Sequence, residues 1–175
     1  MPIEAGPHTL GPHNATLSVE TKRKGAAAKA GHDLVFEVTS WEAALDVAKD
    51  PAVTLTADGG SLRVREGRGG VTTLGDEEKA GIEQTIDDEV LKGAAIEFRS
   101  SALELDPGGT HATVLGELEL AGTRRPISFE LRGEDGRLTG RAIVKQSDWG
   151  IKPYTALFGT LKVADEVEIG IDARL

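Results

Sequence analysis

Apolar and polar residues alternate with period two through most of this chain, and no other feature restricts its fold as strongly. Successive side chains of a strand point to opposite faces, so each such run describes a strand with one buried face. Ala15, Leu17, Val19 and Thr21 share one face of a first run. Leu34, Phe36, Val38 and Ser40 share one face of a second, with Asp33, Glu37 and Thr39 opposite. Val53, Leu55 and Ala57 follow, then Leu62 and Val64 beyond a turn at Asp58-Gly59-Gly60. Ile96 and Phe98, then Leu103 and Leu105, lead into Val114, Gly116, Leu118 and Leu120. Ile127, Phe129 and Leu131 answer that run after Gly122-Thr123-Arg124. The last run ends at Leu175 and carries Val167, Ile169, Ile171 and Ala173 on one face.

Turn residues separate these runs, at Pro107-Gly108-Gly109 and Glu134-Asp135-Gly136 among others. Asp-Gly and Gly-Gly between alternating segments mark hairpins, and many short strands at close spacing mark an antiparallel sandwich or barrel. One segment departs from the pattern. Over Asp76–Lys92, Ala80, Ile82, Ile86, Val90 and Leu91 recur at roughly helical spacing. Asp76, Glu77 and Glu78 stand where the helix dipole favours anions, and Gly93 stands where a glycine ends a helix. The expected plan is all-β, about eight strands, with this one helix inserted outside them. A length of 175 residues without a repeat or long linker predicts one domain over 1–175, frayed over residues 1–8.

Charge and composition then exclude classes of partner. The formal net charge of −9 repels phosphate backbones and anionic lipid surfaces, so no nucleic acid is expected. The apolar runs are far too short for a membrane helix. The N-terminus has neither a basic nor an apolar leader segment, so the chain is expected to be cytoplasmic. Cysteine is absent, which removes disulfides, thiolate metal sites and a cysteine nucleophile.

The remaining chemical candidates are weak. His8 and His13 with Glu4 match no metal-ligand spacing. His32-Asp33 and His111 have no serine on a nucleophile elbow to act upon. Gly67-Arg68-Gly69-Gly70 lacks the lysine and spacing of a phosphate loop. No enzymatic activity, metal or cofactor is therefore expected. Lys22-Arg23-Lys24 is read as a solvated hairpin tip, with contact to a lipid headgroup as the alternative.

Several stretches together resemble the YceI-like family. Gly116–Ile127 is similar to its pattern of an apolar strand, a glycine turn, and a basic residue followed by proline. Ser147-Asp148-Trp149-Gly150-Ile151 and the later Val163–Ile169 are similar to its C-terminal signature. His13-Asn14 stands at the position of an early histidine–serine pair, and the helix leading into Ile96–Ser100 also resembles that family. The resemblance implies a lipocalin-like, closed antiparallel barrel that carries or stores a polyisoprenoid or other long lipid inside. A homodimer remains compatible with the sequence.

An interior for such a ligand requires small side chains, and aromatics make up only 4% of the chain. The apolar faces predict Leu17, Val19, Leu34, Phe36, Val38, Phe98, Val114, Leu118, Phe129 and Ile169 as inward, ligand-contacting residues. Trp149, Tyr154 and Phe158 cluster in a segment with Gly150, Pro153 and Gly159. They are expected to border the ligand's path at one barrel opening; the alternative is a core plug. The competing functional reading is a structural or protein-interaction barrel with a packed interior.

Overall fold

The computed structural model describes residues 2–70, 73–156 and 161–175. In chain order the elements are β1 (Pro7–Leu10), β2 (Ala15–Thr21), β3 (Arg23–Lys24), β4 (Asp33–Val38) and β5 (Trp41–Asp46). Next come β6 (Ala52–Asp58), β7 (Leu62–Arg68), α1 (Asp76–Thr85), β8 (Ala95–Leu105) and β9 (His111–Leu120). The chain continues through β10 (Thr123–Glu134), β11 (Arg137–Lys145), β12 (Thr155–Ala156), β13 (Leu161–Val163) and β14 (Glu166–Arg174). All the strand pairings described are antiparallel.

The main sheet has eleven strands in the order β1-β5-β6-β8-β9-β10-β11-β14-β2-β4-β7. This corrects the expected closed ring of about eight strands. The hydrogen-bonded order has two ends, β1 and β7, and the sheet curls around an interior rather than forming an unbroken ring. The count rises above eight because sharp bends set short strands apart. Gly11–Asn14 separates β1 from β2, Thr39-Ser40 separates β4 from β5, and Gly59–Ser61 separates β6 from β7. Only the last of these falls at a turn read from the sequence. Side chains and backbone tie the bends. The Gly11 N–H donates to Asn14 Oδ1 (3.0 Å), and the buried Ser61 hydroxyl donates to the Asp58 carbonyl (2.7 Å). The Thr39 N–H donates to the Ser61 carbonyl (3.0 Å), and the Asp58 N–H donates to the Ser40 carbonyl (2.9 Å).

The register carries the alternation as expected. Leu17, Val19, Phe36, Val38 and Val64 meet across β2, β4 and β7, and Val19 faces Ile169 of β14. One phase change in the sequence has a local cause. Ile96 and Phe98 stand at even positions and Leu103 and Leu105 at odd ones, because a bulge between Ser100 and Ala102 inserts an extra residue. Gly116 occupies an inward position of β9, where a Cβ would lie 2.6 Å from Phe98 Cζ. Its missing side chain admits the Phe98 ring, which stacks tilted on Phe129 at 5.3 Å between centroids.

The helical segment also differs in detail. The α-helix ends at Thr85 and passes into a π turn over Ile86–Val90, closed by the Leu91 N–H donating to the Ile86 carbonyl (2.8 Å). Lys92 and Gly93 follow with positive φ, so Gly93 does terminate the element. The Gly75 N–H donates to Glu78 Oε2 (2.7 Å) and caps the first turn. Ile82, Ile86 and Val90 pack half-buried against the core.

The expected fraying at the N-terminus is not what the structure shows for residues 2–8. Ile3 is buried and its N–H donates to the Gly109 carbonyl (2.9 Å), so the segment closes one end of the sheet beside the β8–β9 turn. Among the described residues no helix is long and apolar enough to cross a membrane.

Candidate functional site

The curled sheet encloses a cavity of about 760 Å³. Its wall is built by the period-two faces of β2, β4, β5, β6, β8, β9, β10, β11 and β14, with α1 and the π turn covering one side. It exists because several inward positions carry little side chain. Ala43, Ala57 and Ala142 all line it, where larger residues would fill the space. The deep wall includes Leu10, Leu45 and Leu138, which are almost wholly buried.

The cavity reaches the surface at the opposite end. There it is bordered by Glu78 of α1, by His32, by Arg23 of β3 and by the half-exposed Tyr154 and the exposed Lys162. A second, three-stranded sheet in the order β12-β13-β3 frames this mouth. The Val163 N–H donates to the Tyr154 carbonyl (2.9 Å) and Ala164 donates to the Lys22 carbonyl (2.7 Å), joining the segments.

Ten of the ligand-contacting residues expected from the sequence line this cavity: Leu17, Val19, Leu34, Phe36, Val38, Phe98, Leu118, Phe129, Ile169 and Tyr154. Val114 and Trp149 do not. Val114 is fully buried between Phe129 and Leu103 on the neighbouring strands and contributes to the solid part of the core. Trp149 is 3% exposed, and its indole Nε1 donates to the Leu118 carbonyl (2.8 Å). It holds the turn after β11 against β9 instead of bordering the opening, which matches the plug alternative for that ring. Phe158 lies outside the described residues.

The Trp149 turn is itself anchored by charge. The Ser147 N–H (2.8 Å) and hydroxyl both donate to the Asp165 carboxylate. The hydroxyl contact is the main cause that holds the Asp165 carboxyl below the ordinary carboxylate range. Gln146 completes the clamp: its backbone N–H donates to the Asp165 carbonyl (2.8 Å), while its side chain lines the cavity.

Sequence reasoning missed the lining from β5, β11 and the helix. Alanines such as Ala43 and Ala142 carry too weak an apolar signal to be noticed as a wall. The histidines gather into no site. His8 Nε2 contacts the Glu4 carbonyl (2.8 Å), and His111 Nδ1 lies 3.5 Å from Asp106 on the surface. Among the described residues no three His, Asp or Glu side chains converge to hold a metal.

This arrangement has relatives. The family model for the YceI-like domain matches residues 14–175. The chain belongs to the YceI-like family. Among solved structures, Burkholderia cenocepacia BcnA superposes with a TM-score of 0.60 at 18% identity, covering 90% of this chain and 94% of that one. A mutant Campylobacter jejuni YceI protein gives a TM-score of 0.53 at 12% identity, over 100% of this chain and 86% of that one. Another mutant of that protein, crystallised with a monobromobimane guest, gives 0.51 at 14% identity over 71% of each chain. At these identities the likeness establishes a shared fold. No curated protein matches the sequence.

Proposed function

We propose that this YceI-like protein binds one long apolar or amphiphilic chain, a polyisoprenoid or a fatty-acyl lipid, inside the curled sheet, for carriage or storage and without chemistry. The cavity carries the reading. Its 760 Å³ falls within the roughly 300–1,000 Å³ of small-molecule sites, and its wall is mostly apolar. An interior filled by the protein's own side chains, as a purely structural barrel requires, would leave no such volume. At roughly 30 Å³ for each water-sized group, the space holds about 25 non-hydrogen atoms. A chain longer than that would extend through the mouth.

Two experiments test the reading. Organic extraction of the purified protein, followed by mass spectrometry, should release a lipid. Titration with fatty acids of increasing length should show affinity rising about tenfold for every two methylenes, from about 0.8 kcal/mol each, until the cavity is full. Ala142→Phe, which places a ring in the empty space beside Ile169, should weaken binding at least tenfold while leaving the fold intact. Equal affinity for short and long chains would defeat the proposal.

A further inference from the structure

The mouth of the cavity has a charge opposite to that of the protein. The whole chain carries −9, yet among the described residues the charged side chains lining the cavity are Arg23, Arg141 and Lys162, with Glu78 as the only acid. Arg141 is already paired with Glu168 at 3.0 Å. Arg23 and Lys162 remain, and both stand where the cavity opens.

Arg23 is fixed in place before any ligand arrives. Its Nη1 donates to the carbonyls of Gly31 (2.8 Å) and Arg68 (2.9 Å). Gly69, which has no Cβ, lets the guanidinium lie directly against the backbone. Asp33 lies 4.0 Å from both Arg23 and Lys22 and offsets part of their charge. Lys162 has no such partner: in the small sheet it stands directly across from Lys24. Like charges on facing strand positions destabilise each other. Among the described residues no carboxylate lies within ion-pair distance of either lysine, and Asp165 acts on Lys24 only at longer range. A sheet that brings an unpaired lysine and a locked arginine to the mouth of an apolar cavity is complementary to one kind of molecule.

We infer that the ligand is an amphiphile with an anionic head, a carboxylate or a phosphate monoester, held between Arg23 and Lys162 with its hydrocarbon tail in the cavity. This rests on the binding reading above and narrows it to a chemical class.

The test compares three probes of equal tail length: hexadecanoic acid, hexadecyl phosphate and hexadecan-1-ol. Affinities are measured by displacement of a fluorescent lipid at low salt and at 0.5 M sodium chloride. The acid, the phosphate or both should bind about tenfold to a hundredfold more tightly than the alcohol, as expected for hydrogen bonds to charged groups. High salt should shrink that ratio. Which anion gains more distinguishes carboxylate from phosphate. Lys162→Gln should bring the ratio toward unity, and the salt dependence of the wild-type ratio provides a second readout should that variant lose its fold. An alcohol that binds as tightly as both anions would overturn the inference and leave the lipid-binding reading standing. Binding of none of the three would overturn both.

Discussion

Removing the Trp149 ring separates a structural residue from a ligand-contacting one. The indole is 3% exposed, contributes a large apolar surface to the core, and donates one hydrogen bond of 2.8 Å to the Leu118 carbonyl. Emptying an aromatic core site costs about 3–5 kcal/mol. For a chain of this length each kcal/mol lowers the melting temperature by about 2–4 °C, so Trp149→Ala should melt about 6–20 °C lower. Trp149→Phe keeps most of the ring and loses mainly the hydrogen bond, which is worth about 1 kcal/mol, plus some packing. It should therefore recover more than half of the loss. Since Trp149 does not line the cavity, fatty-acid affinity measured below the melting transition should stay within about twofold of wild type for both variants. The assay is thermal or urea unfolding with lipid titration on the same samples. An unchanged melting temperature combined with a large loss of affinity would show that the ring meets the ligand and refute the assignment.

Three further predictions follow from the packing and charge. Gly116→Ala places a methyl group against the Arg99 carbonyl and 2.6 Å from Phe98 Cζ, so it should destabilise by about 1–3 kcal/mol in urea unfolding; a neutral result would contradict this close packing. Trp41 is buried with its Nε1 unpartnered among the described residues, so Trp41→Phe loses packing but no hydrogen bond and should cost less than Trp149→Phe; an equal or larger loss of stability would contradict this. The Asp165 carboxyl is held below its ordinary range, chiefly by Ser147, so its contribution is present in full above the unfolded-state pKa and is lost as pH falls through the lower folded value. The stability gap between wild type and Asp165→Asn should therefore be widest near neutral pH and close in strong acid; a gap that widens on acidification would contradict the Ser147–Asp165 contact.

Strand faces were legible in the sequence because the period of two is a local property of extended backbone. Leu17, Val19, Phe36 and Ile169 meet inside the sheet as their alternation requires. Even the bulge at Ser100–Ala102 leaves a trace, as the change of phase between Phe98 and Leu103. The helix start was readable from its acidic first turn and its end from Gly93, whereas the π turn between them has no comparable local signature. The break at Gly59–Ser61 was readable from Asp58-Gly59-Gly60, whereas no turn was read at Gly11–Asn14 or Thr39-Ser40; the Thr39 N–H is held by the Ser61 carbonyl, 22 residues away in the chain.

The sequence by itself determined which residues turn inward, and hence that an apolar interior would form. Only the tertiary structure decided that this interior is hollow. Whether a wall leaves space depends on the curvature of the sheet and on which small residues face one another across it, such as Ala43, Ala57 and Ala142 on separate strands. The same holds for two local segments. Trp149 sits in a turn with no periodicity, so its burial depends on Leu118, which is 31 residues away in the chain. Lys22-Arg23-Lys24 reads as a solvated tip until pairing with Lys162-Val163 carries Arg23 to the cavity mouth. Periodicity reports the direction of a side chain relative to its own backbone, and contacts between distant segments set what that side chain meets.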